Sequence, residues 1–349
     1  MQFSQFGITD IKVSRICLGT MTWGEQNTEQ EAWEQLDYAT GKGVNFIDTA
    51  ELYPVPRREE TQGRTEEYIG NWMEARGNRD KIVLATKVMG RSDMPWFRPF
   101  TDITRLNREQ ITYALEQSLK RLKTDYVDLY QLHWPDRPIN LFDQSRGYKH
   151  IEDDDAVPLE ETLGVLDDLV REGKIREVGL SNETPWATMK CLHHAETRGL
   201  PRVQSVQNAY NLLNRLYEHG LAEVSHREGV ACLPYSPLGG GTLSGKYLGG
   251  ALPEGSRRQL FGRFTDRYQK VNTDDAVAAY KALAEEHGLS LVQMALKFVD
   301  SRDFVTSTII GATTMAQLEE NMAAFELAWT EELEQGVSRI FEKYPNPAP

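Results

Sequence analysis

The stretch NFIDTAELY, residues 45–53, decides the fold of this chain, because a short apolar strand ends there in an acid and a tyrosine follows it. Seven similar runs follow or precede it, each leading into a segment whose apolar residues recur at spacings of three and four. The predicted strands are CLGTM, NFIDTA, KIVLATKV, DYVDLYQLHW, IREVGLSN, VQSVQNAY, GVACLPYS and STIIGA. Strand and helix alternate to the end of the chain, which is typical of a parallel α/β protein.

The number of strands selects between two parallel architectures. An open doubly wound sheet and a closed (β/α)8 barrel both fit the alternation, but eight strands and the lack of GxGxxG after the first favour the barrel. We therefore predict one TIM-barrel domain over residues 1–349. The runs QFSQF and KVSRICLG predict an N-terminal β-hairpin across the bottom of the barrel, and EELEQGVSRIFEKY predicts an extra C-terminal helix.

Four connections are too long to be simple turns. They cover residues 54–64, 89–106, 134–158 and about 235–274. Loops of that length inside a compact domain are usually functional, so we expect them to border the active site.

Composition narrows the class of partner and the compartment. The 349 residues carry a net charge of -13, which argues against nucleic acid or an anionic membrane surface as a partner. The N-terminal stretch lacks the apolar run of a signal peptide, and no run approaches the roughly 20 apolar residues that span a bilayer, so we expect a cytoplasmic protein.

Cys17, Cys191 and Cys232 lack metal-site or disulfide spacing and are predicted to be reduced packing residues. The oligomeric state stays open.

Polar residues stand at the carboxyl ends of most predicted strands, where barrel enzymes place their active sites. These residues are Asp48 and Tyr53 beyond it, Lys87, His133, Ser181, Asn182, Gln207, Asn208 and Tyr235. Taken singly, Asp48 fits a turn cap, Lys87 a surface residue and His133 a half-buried ring. On adjacent strand ends, however, Asp48 and Lys87 are expected to form a buried pair, because an unpaired buried charge is costly.

A Lys87–Asp48 pair beside Tyr53 predicts proton-transfer chemistry. The ammonium favours phenolate and is expected to lower the pKa of Tyr53 from about 10 toward neutrality, which makes the phenol a general acid. A neutral His133 can then orient a carbonyl oxygen. The same residues allow a rival reaction, a Schiff-base lyase with Lys87 as the nucleophile.

Two later segments weigh against the lyase, because they suit a bound phosphate. YSPLGGGTLSGKY, residues 235–247, and IIGATTMAQLEEN, residues 309–321, follow the seventh and eighth strands, where barrels commonly bind phosphate. A glycine-rich backbone and a helix N-terminus both offer N–H groups to anions. Each segment alone also fits an ordinary turn or a capping box.

These segments, together with LGTMTWG, DTAELY, ATKV, LYQLHWP, GLSNE and QNAYNLL, resemble the aldo-keto reductases over nearly the whole chain. The resemblance is to the branch that includes the potassium-channel beta subunits. It implies a (β/α)8 barrel that binds NADPH without a Rossmann fold and reduces aldehydes or ketones. Its catalytic residues fall on Asp48, Tyr53, Lys87 and His133, with Tyr53 as proton donor, Lys87 and Asp48 tuning it, and His133 positioning the carbonyl.

The resemblance also implies where NADPH or NADP+ binds. Residues matching Ser181, Asn182 and Gln207 hold the nicotinamide amide, Tyr235 stacks on the ring, and residues 236–246 wrap the pyrophosphate. The implied cofactor contacts are Gly19, Thr20, Asp48, Ser181, Asn182, Gln207, Tyr235, Ser236, Pro237, Leu238, Gly239, Gly241, Lys246, Arg257, Gly311, Thr313, Gln317, Glu320 and Asn321. No metal is expected.

The chain departs from the family pattern around the adenosine 2′-phosphate. Other branches have Lys and Arg where this chain has Gly311 and Gln317, which weakens the expectation that NADPH is preferred over NADH. Lys246 is a candidate for the cation that binds the 2′-phosphate in place of those residues. The alternative, equally favoured by the sequence, is that Lys246 is an ordinary surface lysine.

The substrate is less defined than the chemistry. Trp23, Tyr53, His133 and Trp134 are expected to form an aromatic pocket wall that suits a small aldehyde or ketone without selecting one. The acidic loop of residues 147–161 either shapes that pocket or is a solvated flap, the interpretation that its charge favours. A different class of function, a nicotinamide-binding redox sensor with little turnover, stays open beside the reductase.

Overall fold

The computed structural model describes residues 1–140, 147–152 and 155–349. An antiparallel hairpin comes first, with β1 (Phe3–Gln5) paired to β2 (Lys12–Ser14). The eight parallel strands are β3 (Ile16–Gly19), β4 (Phe46–Asp48), β5 (Val83–Val88), β6 (Val127–Leu132), β7 (Ile175–Ser181), β8 (Val203–Gln207), β9 (Ala231–Cys232) and β10 (Thr308–Ile310). Their order in the sheet is β10-β3-β4-β5-β6-β7-β8-β9.

Backbone hydrogen bonds join the two outer strands of this curved sheet. Thr306 N–H donates to the carbonyl of Cys232 at 3.0 Å, and Ile309 N–H donates to the carbonyl of Pro234 at 2.9 Å. The predicted (β/α)8 barrel and its N-terminal hairpin are therefore confirmed.

Helices alternate with the strands and cover the outside of the barrel. They are α1 (Glu29–Gly41), α2 (Arg64–Arg76), α3 (Arg108–Leu122), α4 (Leu159–Arg171), α5 (Pro185–Arg198), α6 (Leu221–Glu228), α7 (Arg257–Leu260), α8 (Thr273–Glu286), α9 (Leu291–Asp300), α10 (Met315–Ala323) and α11 (Glu331–Lys343). Short 3-10 segments lie at Arg79–Lys81, Pro95–Phe97, Leu216–His219, Gly239–Ser244, Leu248–Gly250, Gly262–Tyr268 and Ala324–Glu326.

The connection between β9 and β10 holds more helix than predicted. One helix was expected there, whereas α8 and α9 both form. A capping box of Ser290 and Gln293 starts α9, and its buried residues include Leu291, Met294, Ala295, Phe298 and Val299, an amphipathic period that the prediction overlooked. The predicted C-terminal helix is α11, which packs against α8 where Gly336 meets Leu283.

Every second side chain of a strand points into the barrel, and these inward side chains form an apolar lower layer and a polar upper layer. Phe46 lies two residues below Asp48, Ala85 two below Lys87, and Leu129 belongs to the same lower cluster. Phe6 of the hairpin contacts Phe46 edge-on at 6.0 Å between ring centroids, so the hairpin covers the bottom of the barrel. The polar upper layer therefore lies at the carboxyl ends of the strands.

None of the helices in the described residues is long and apolar enough to cross a membrane. The three cysteines are buried and make no disulfide.

Helix α2 contacts α3 through a glycine, which gives a test of the packing. A Cβ on Gly70 would lie 2.2 Å from the carbonyl oxygen of Arg121, so Gly70→Ala forces the two helices apart. We expect it to lower the free energy of unfolding by about 1–3 kcal/mol. Gly164→Ala in α4 is the matched control, because no atom lies near its Cβ position and alanine favours helix by about 0.8–1.0 kcal/mol. Urea denaturation distinguishes the two variants, and equal effects would contradict this packing.

Candidate active site

Lys87 forms the centre of the polar layer. Its side chain is 0% exposed, and its Nζ donates to Asp48 Oδ2 at 2.6 Å, to the Thr49 carbonyl at 2.8 Å and to the Tyr53 hydroxyl at 3.4 Å. Burial alone lowers the pKa of Lys87, but the Asp48 carboxylate and the Tyr53 phenol oppose it and raise the pKa overall. Lys87 is therefore held as a buried ammonium that faces the phenol, as the sequence predicts.

Two amides hold the second oxygen of Asp48. Gln207 Nε2 donates to Oδ1 at 2.8 Å and Gln131 Nε2 donates to it at 3.1 Å. Thr20 anchors the same residue by donating its hydroxyl to the Asp48 carbonyl at 2.9 Å. Sequence reasoning missed Gln131, although its place in β6 two positions before His133 puts both side chains on the same face of the strand.

Tyr53 is buried, and this corrects one expectation. Burial raises the pKa of the Tyr53 phenol; the Lys87 ammonium lowers it and the Asp48 carboxylate raises it, so the pKa lies above its ordinary value of 10.0. The expected lowering was wrong because removal of the phenol from water outweighs the ammonium, whose charge Asp48 largely neutralises. Tyr53 is consequently protonated at neutral pH in this state, which is the form that donates a proton.

His133 lies on the other side of the phenol. The two rings meet edge-on with centroids 5.8 Å apart. Burial lowers the pKa of His133 well below its usual range, and the charges of Lys87 and Arg57 lower it further. The imidazole is therefore neutral near pH 7 and can donate a neutral hydrogen bond to an oxygen held between it and Tyr53.

A hydrogen-bond chain continues around the rim from His133. Asn182 Nδ2 donates to the His133 carbonyl at 2.8 Å, and Tyr235 donates its hydroxyl to Asn182 Oδ1 at 2.6 Å. Ser181 donates its hydroxyl to the Gln207 carbonyl at 2.9 Å. Asn182 lies just beyond β7, and Tyr235 lies just beyond β9. The positive φ of 51° at Asn182 turns the backbone out of the extended conformation of β7.

The glycine-rich loop after β9 curls back on itself. Gly239 and Gly241 have φ of 55° and 94°, a region that glycine adopts without strain. A Cβ on Gly241 would lie 3.4 Å from Lys246 Nζ, so the lysine folds over the loop backbone. Ser236, Pro237 and Leu238 begin this loop.

Basic side chains gather beside that loop. Lys246 Nζ lies 5.3 Å from the ring centroid of the buried Tyr247, and the Arg258 guanidinium lies 4.2 Å from it. Within the described residues, Arg258 Nε and Nη2 are buried without a hydrogen-bond partner. Arg257 begins α7, and burial lowers the pKa of its guanidinium. The family resemblance pointed to Lys246 and Arg257 but not to Arg258. Nothing in the local sequence distinguishes Arg258 from the adjacent Arg257.

The segment after β10 forms the start of α10. Thr314 caps the helix, while Thr313 donates its N–H and its hydroxyl to Gln317 Oε1, both at 3.0 Å. Asn321 Nδ2 donates to the Gly311 carbonyl at 3.3 Å. Glu320 instead accepts from the hydroxyl of Ser290 at the start of α9. The N-terminus of α10 and these polar side chains therefore border this end of the rim. The sequence predicts both of them there, after the eighth strand of the barrel.

The wall beside Tyr53 is an apolar cluster that we name the pocket cluster. Its buried members are Ala50, Leu52, Tyr53, Val55, Met89 and Phe97, and its partly buried members are Met21, Met94, Trp96 and Trp134. Trp134 also contacts His133 with ring centroids 5.0 Å apart, as expected of a wall residue. Trp23 does not join the wall, because its side chain is 0% exposed within the main core. Met21, Met94 and Trp96 were missed because they lie in loops without a period.

Part of the acidic loop is tied beside this wall. Asp155 pairs with Arg91 at 2.7 Å, and Trp134 Nε1 donates to the Arg91 carbonyl at 2.9 Å. Residues 147–152 are exposed, while Asp153 and Asp154 lie outside the described residues. Both interpretations of the loop, pocket wall and solvated flap, stay predictions.

Comparison with known proteins bears on this geometry. A model of the Aldo/keto reductase family matches residues 15–338. The chain is similar to Protein tas of Escherichia coli (strain K12), with 50% identity over 351 residues that cover 100% of both chains. It is 30% identical over 332 residues to the probable voltage-gated potassium channel subunit beta of Arabidopsis thaliana, covering 94% of this chain and 92% of that one.

A third similar protein is named for an activity. L-glyceraldehyde 3-phosphate reductase of Escherichia coli (strain K12) is 30% identical over 332 residues, which cover 93% of this chain and 87% of that protein. The resemblance predicted from the motifs is confirmed, and the chain belongs to the aldo/keto reductase family of oxidoreductases.

Proposed function

We propose that this protein reduces small aldehydes or ketones to alcohols with NADPH, and that Tyr53 is the proton donor. One observation carries the proposal: the Tyr53 hydroxyl lies 3.4 Å from a fully buried Lys87 ammonium, which is bonded to Asp48 at 2.6 Å. A neutral His133 faces the same phenol. This set of groups delivers a proton to an oxygen that is gaining negative charge.

Each residue has a separate part in that step. Tyr53 is protonated at neutral pH and gives its proton to the carbonyl oxygen. The Lys87 ammonium stabilises the phenolate that is left, and Asp48 keeps the ammonium charged and in place. His133 donates a neutral hydrogen bond that orients the carbonyl, while the pocket cluster excludes water from the reacting atoms.

The residues around the rim fit a nicotinamide dinucleotide phosphate. When bound, NADPH supplies the hydride that reduces the carbonyl carbon. Ser181, Asn182 and Gln207 present hydroxyl and amide groups suited to the nicotinamide amide, with the Tyr235 ring beside them. The two unpartnered nitrogens of Arg258 and the curled glycine loop form a cationic cradle of the kind that phosphate groups occupy. Arg257, Thr313, Gln317, Glu320 and Asn321 complete the proposed contacts.

Lys246 tests the preference for NADPH over NADH. We expect Lys246→Ala to raise Kd for NADPH about 10-fold and to leave Kd for NADH within about 2-fold, because a charged hydrogen bond to phosphate is worth about 1.5–3 kcal/mol. Lys42→Ala is the matched control, since Lys42 also lies over a tyrosine ring, at 5.7 Å, but on α1. Fluorescence titration of both nucleotides measures the effect. Equal loss for NADPH and NADH would show that Lys246 does not bind the distinguishing phosphate.

The environment of Lys87 weighs against the lyase alternative. A Schiff base needs a neutral, accessible amine, whereas Lys87 is 0% exposed and its pKa is raised. The redox-sensor alternative rests on the similarity to a channel beta subunit. Steady-state oxidation of NADPH against a panel of aldehydes separates the three functions: the reductase turns over, the sensor binds NADPH with little turnover, and the lyase needs no nucleotide.

A further inference from the structure

Arg57 stands at the edge of the pocket cluster, and no carboxylate in the described part of the chain forms an ion pair with it. Its guanidinium Nη1 donates to the sulfur of Met94 at 3.7 Å, and a thioether is a weak acceptor. Burial lowers the pKa of Arg57 and the charge of Asp93 only partly opposes this, and within the described residues no ion pair joins the two. Arg57 therefore keeps strong donors available at the edge of the pocket cluster.

Three neighbouring arginines of the same region lie near carboxylates. Arg58 lies 3.5 Å from Glu25, Arg91 pairs with Asp155 at 2.7 Å, and Arg98 pairs with the buried Glu51 at 2.8 Å. Arg57 has no such partner within the described residues, although carboxylates are in excess in a protein whose net charge is -13.

The loop that carries Arg57 also carries the proton donor. The backbone carbonyl of Tyr53 accepts from the N–H of Gly63 at 2.8 Å, and Val55 N–H donates to the Met21 carbonyl at 2.9 Å, so backbone bonds anchor this loop on both sides. The charge of Arg57 lowers the pKa of His133, which places the guanidinium within electrostatic reach of the catalytic imidazole. Met94, its contact, belongs to the pocket cluster. Arg57 accordingly lies on the substrate side of the site.

We propose that Arg57 binds an anionic group of the substrate, so that the preferred substrate is a carbonyl compound with an apolar body and a carboxylate or phosphate away from the carbonyl. This inference rests on the proposed reductase function and deepens it. A guanidinium fork binds either anion through two parallel hydrogen bonds, and the pocket cluster accepts the apolar body between that anion and the carbonyl. Charge attraction also concentrates such substrates at the entrance.

Matched benzaldehydes test the proposal. We would measure NADPH oxidation with 4-formylbenzoate, 4-formylphenyl phosphate and methyl 4-formylbenzoate, which share one aromatic aldehyde and differ in charge. For Arg57→Ala we expect KM for at least one anionic aldehyde to rise about 10-fold to 100-fold, with kcat and the kinetics on the neutral ester within about 2-fold. The anion that loses more on substitution is the one the site prefers. Arg57→Lys should retain part of the preference, because it keeps the charge and loses the fork.

Arg58→Ala serves as the adjacent control and should leave all three aldehydes unchanged, since its guanidinium is already near Glu25. The neutral ester reports on folding within each variant. An equal change for charged and neutral aldehydes in Arg57→Ala, or no change for any, overturns the proposal while the reductase function stands. Failure of wild type to oxidise NADPH with all three aldehydes overturns the reductase function and this inference together.

Discussion

Replacing Tyr53 with phenylalanine is expected to lower kcat for aldehyde reduction about 10²-fold to 10⁴-fold, the usual contribution of a positioned general acid. The substitution removes only the hydroxyl that lies 3.4 Å from Lys87 Nζ and leaves the ring in the pocket cluster. Kd for NADPH should stay within about 2-fold, because the basic groups beside the glycine loop are untouched. Steady-state kinetics and fluorescence titration on the same preparation measure both quantities.

Tyr130→Phe is the matched control for that variant. Tyr130 is also a buried tyrosine of the barrel, and its hydroxyl has no hydrogen-bond partner within the described residues, so its loss should change kcat by less than about 2-fold.

A pH profile of kcat for the wild-type protein is a second measurement of the role of Tyr53. Because burial raises the pKa of Tyr53 and the protonated phenol is the active form, reduction should hold through mildly alkaline pH and fall only above about pH 10. Full activity of Tyr53→Phe would exclude the phenol as the acid.

Asp48→Asn is expected to destabilise the fold by about 3–5 kcal/mol, because it leaves the Lys87 ammonium buried without its counter-charge. Lys87→Met should cost less, since Asp48 keeps the amide donors of Gln131 and Gln207. The double variant should recover much of the loss, as a methionine fills the space of a lysine without its charge. Urea denaturation of the two single variants and the double variant gives the coupling free energy.

Asp37→Asn supplies the control for an exposed pair. Asp37 and Arg76 are 44% and 43% exposed, and pairs of that kind contribute about 0–1 kcal/mol. Both Asp48→Asn and Lys87→Met should also lower kcat by about 100-fold or more, because the phenolate loses its stabilising ammonium or that ammonium loses its orientation. If Asp48→Asn costs no more stability than Asp37→Asn and keeps its activity, the buried pair has neither of the roles assigned to it.

The strand ends were readable from the sequence because they follow a strict rule. In a parallel barrel the side-chain period of two and the common direction of the strands bring Asp48, Lys87 and His133 to one rim, whatever the loops do. The sign of the Tyr53 pKa shift was not readable, since it depends on how completely the phenol is buried and on how closely Asp48 neutralises Lys87. Distances and burial decide that balance, and neither follows from residue type.

The pocket wall shows the other limit of sequence reasoning. Trp23 and Trp134 look alike as aromatic residues beside strand ends, yet Trp23 packs in the main core while Trp134 borders the site. Met21, Met94 and Arg57 lie in loops, where no period predicts the direction of a side chain. The positions of the residues proposed to carry the chemistry were therefore predictable, and those proposed to select the substrate needed the folded chain.

Transfer of deuterium from the cofactor tests the central claim most directly. The protein is incubated with NADPH carrying two deuterium atoms at C4 of the nicotinamide and with methyl 4-formylbenzoate in ordinary water, and the alcohol is analysed by mass spectrometry and NMR. The proposed reductase places one deuterium on the alcohol carbon, and the hydroxyl hydrogen comes from water through Tyr53. An alcohol without deuterium, or bound NADPH that yields no alcohol from any aldehyde, would contradict hydride transfer at this site.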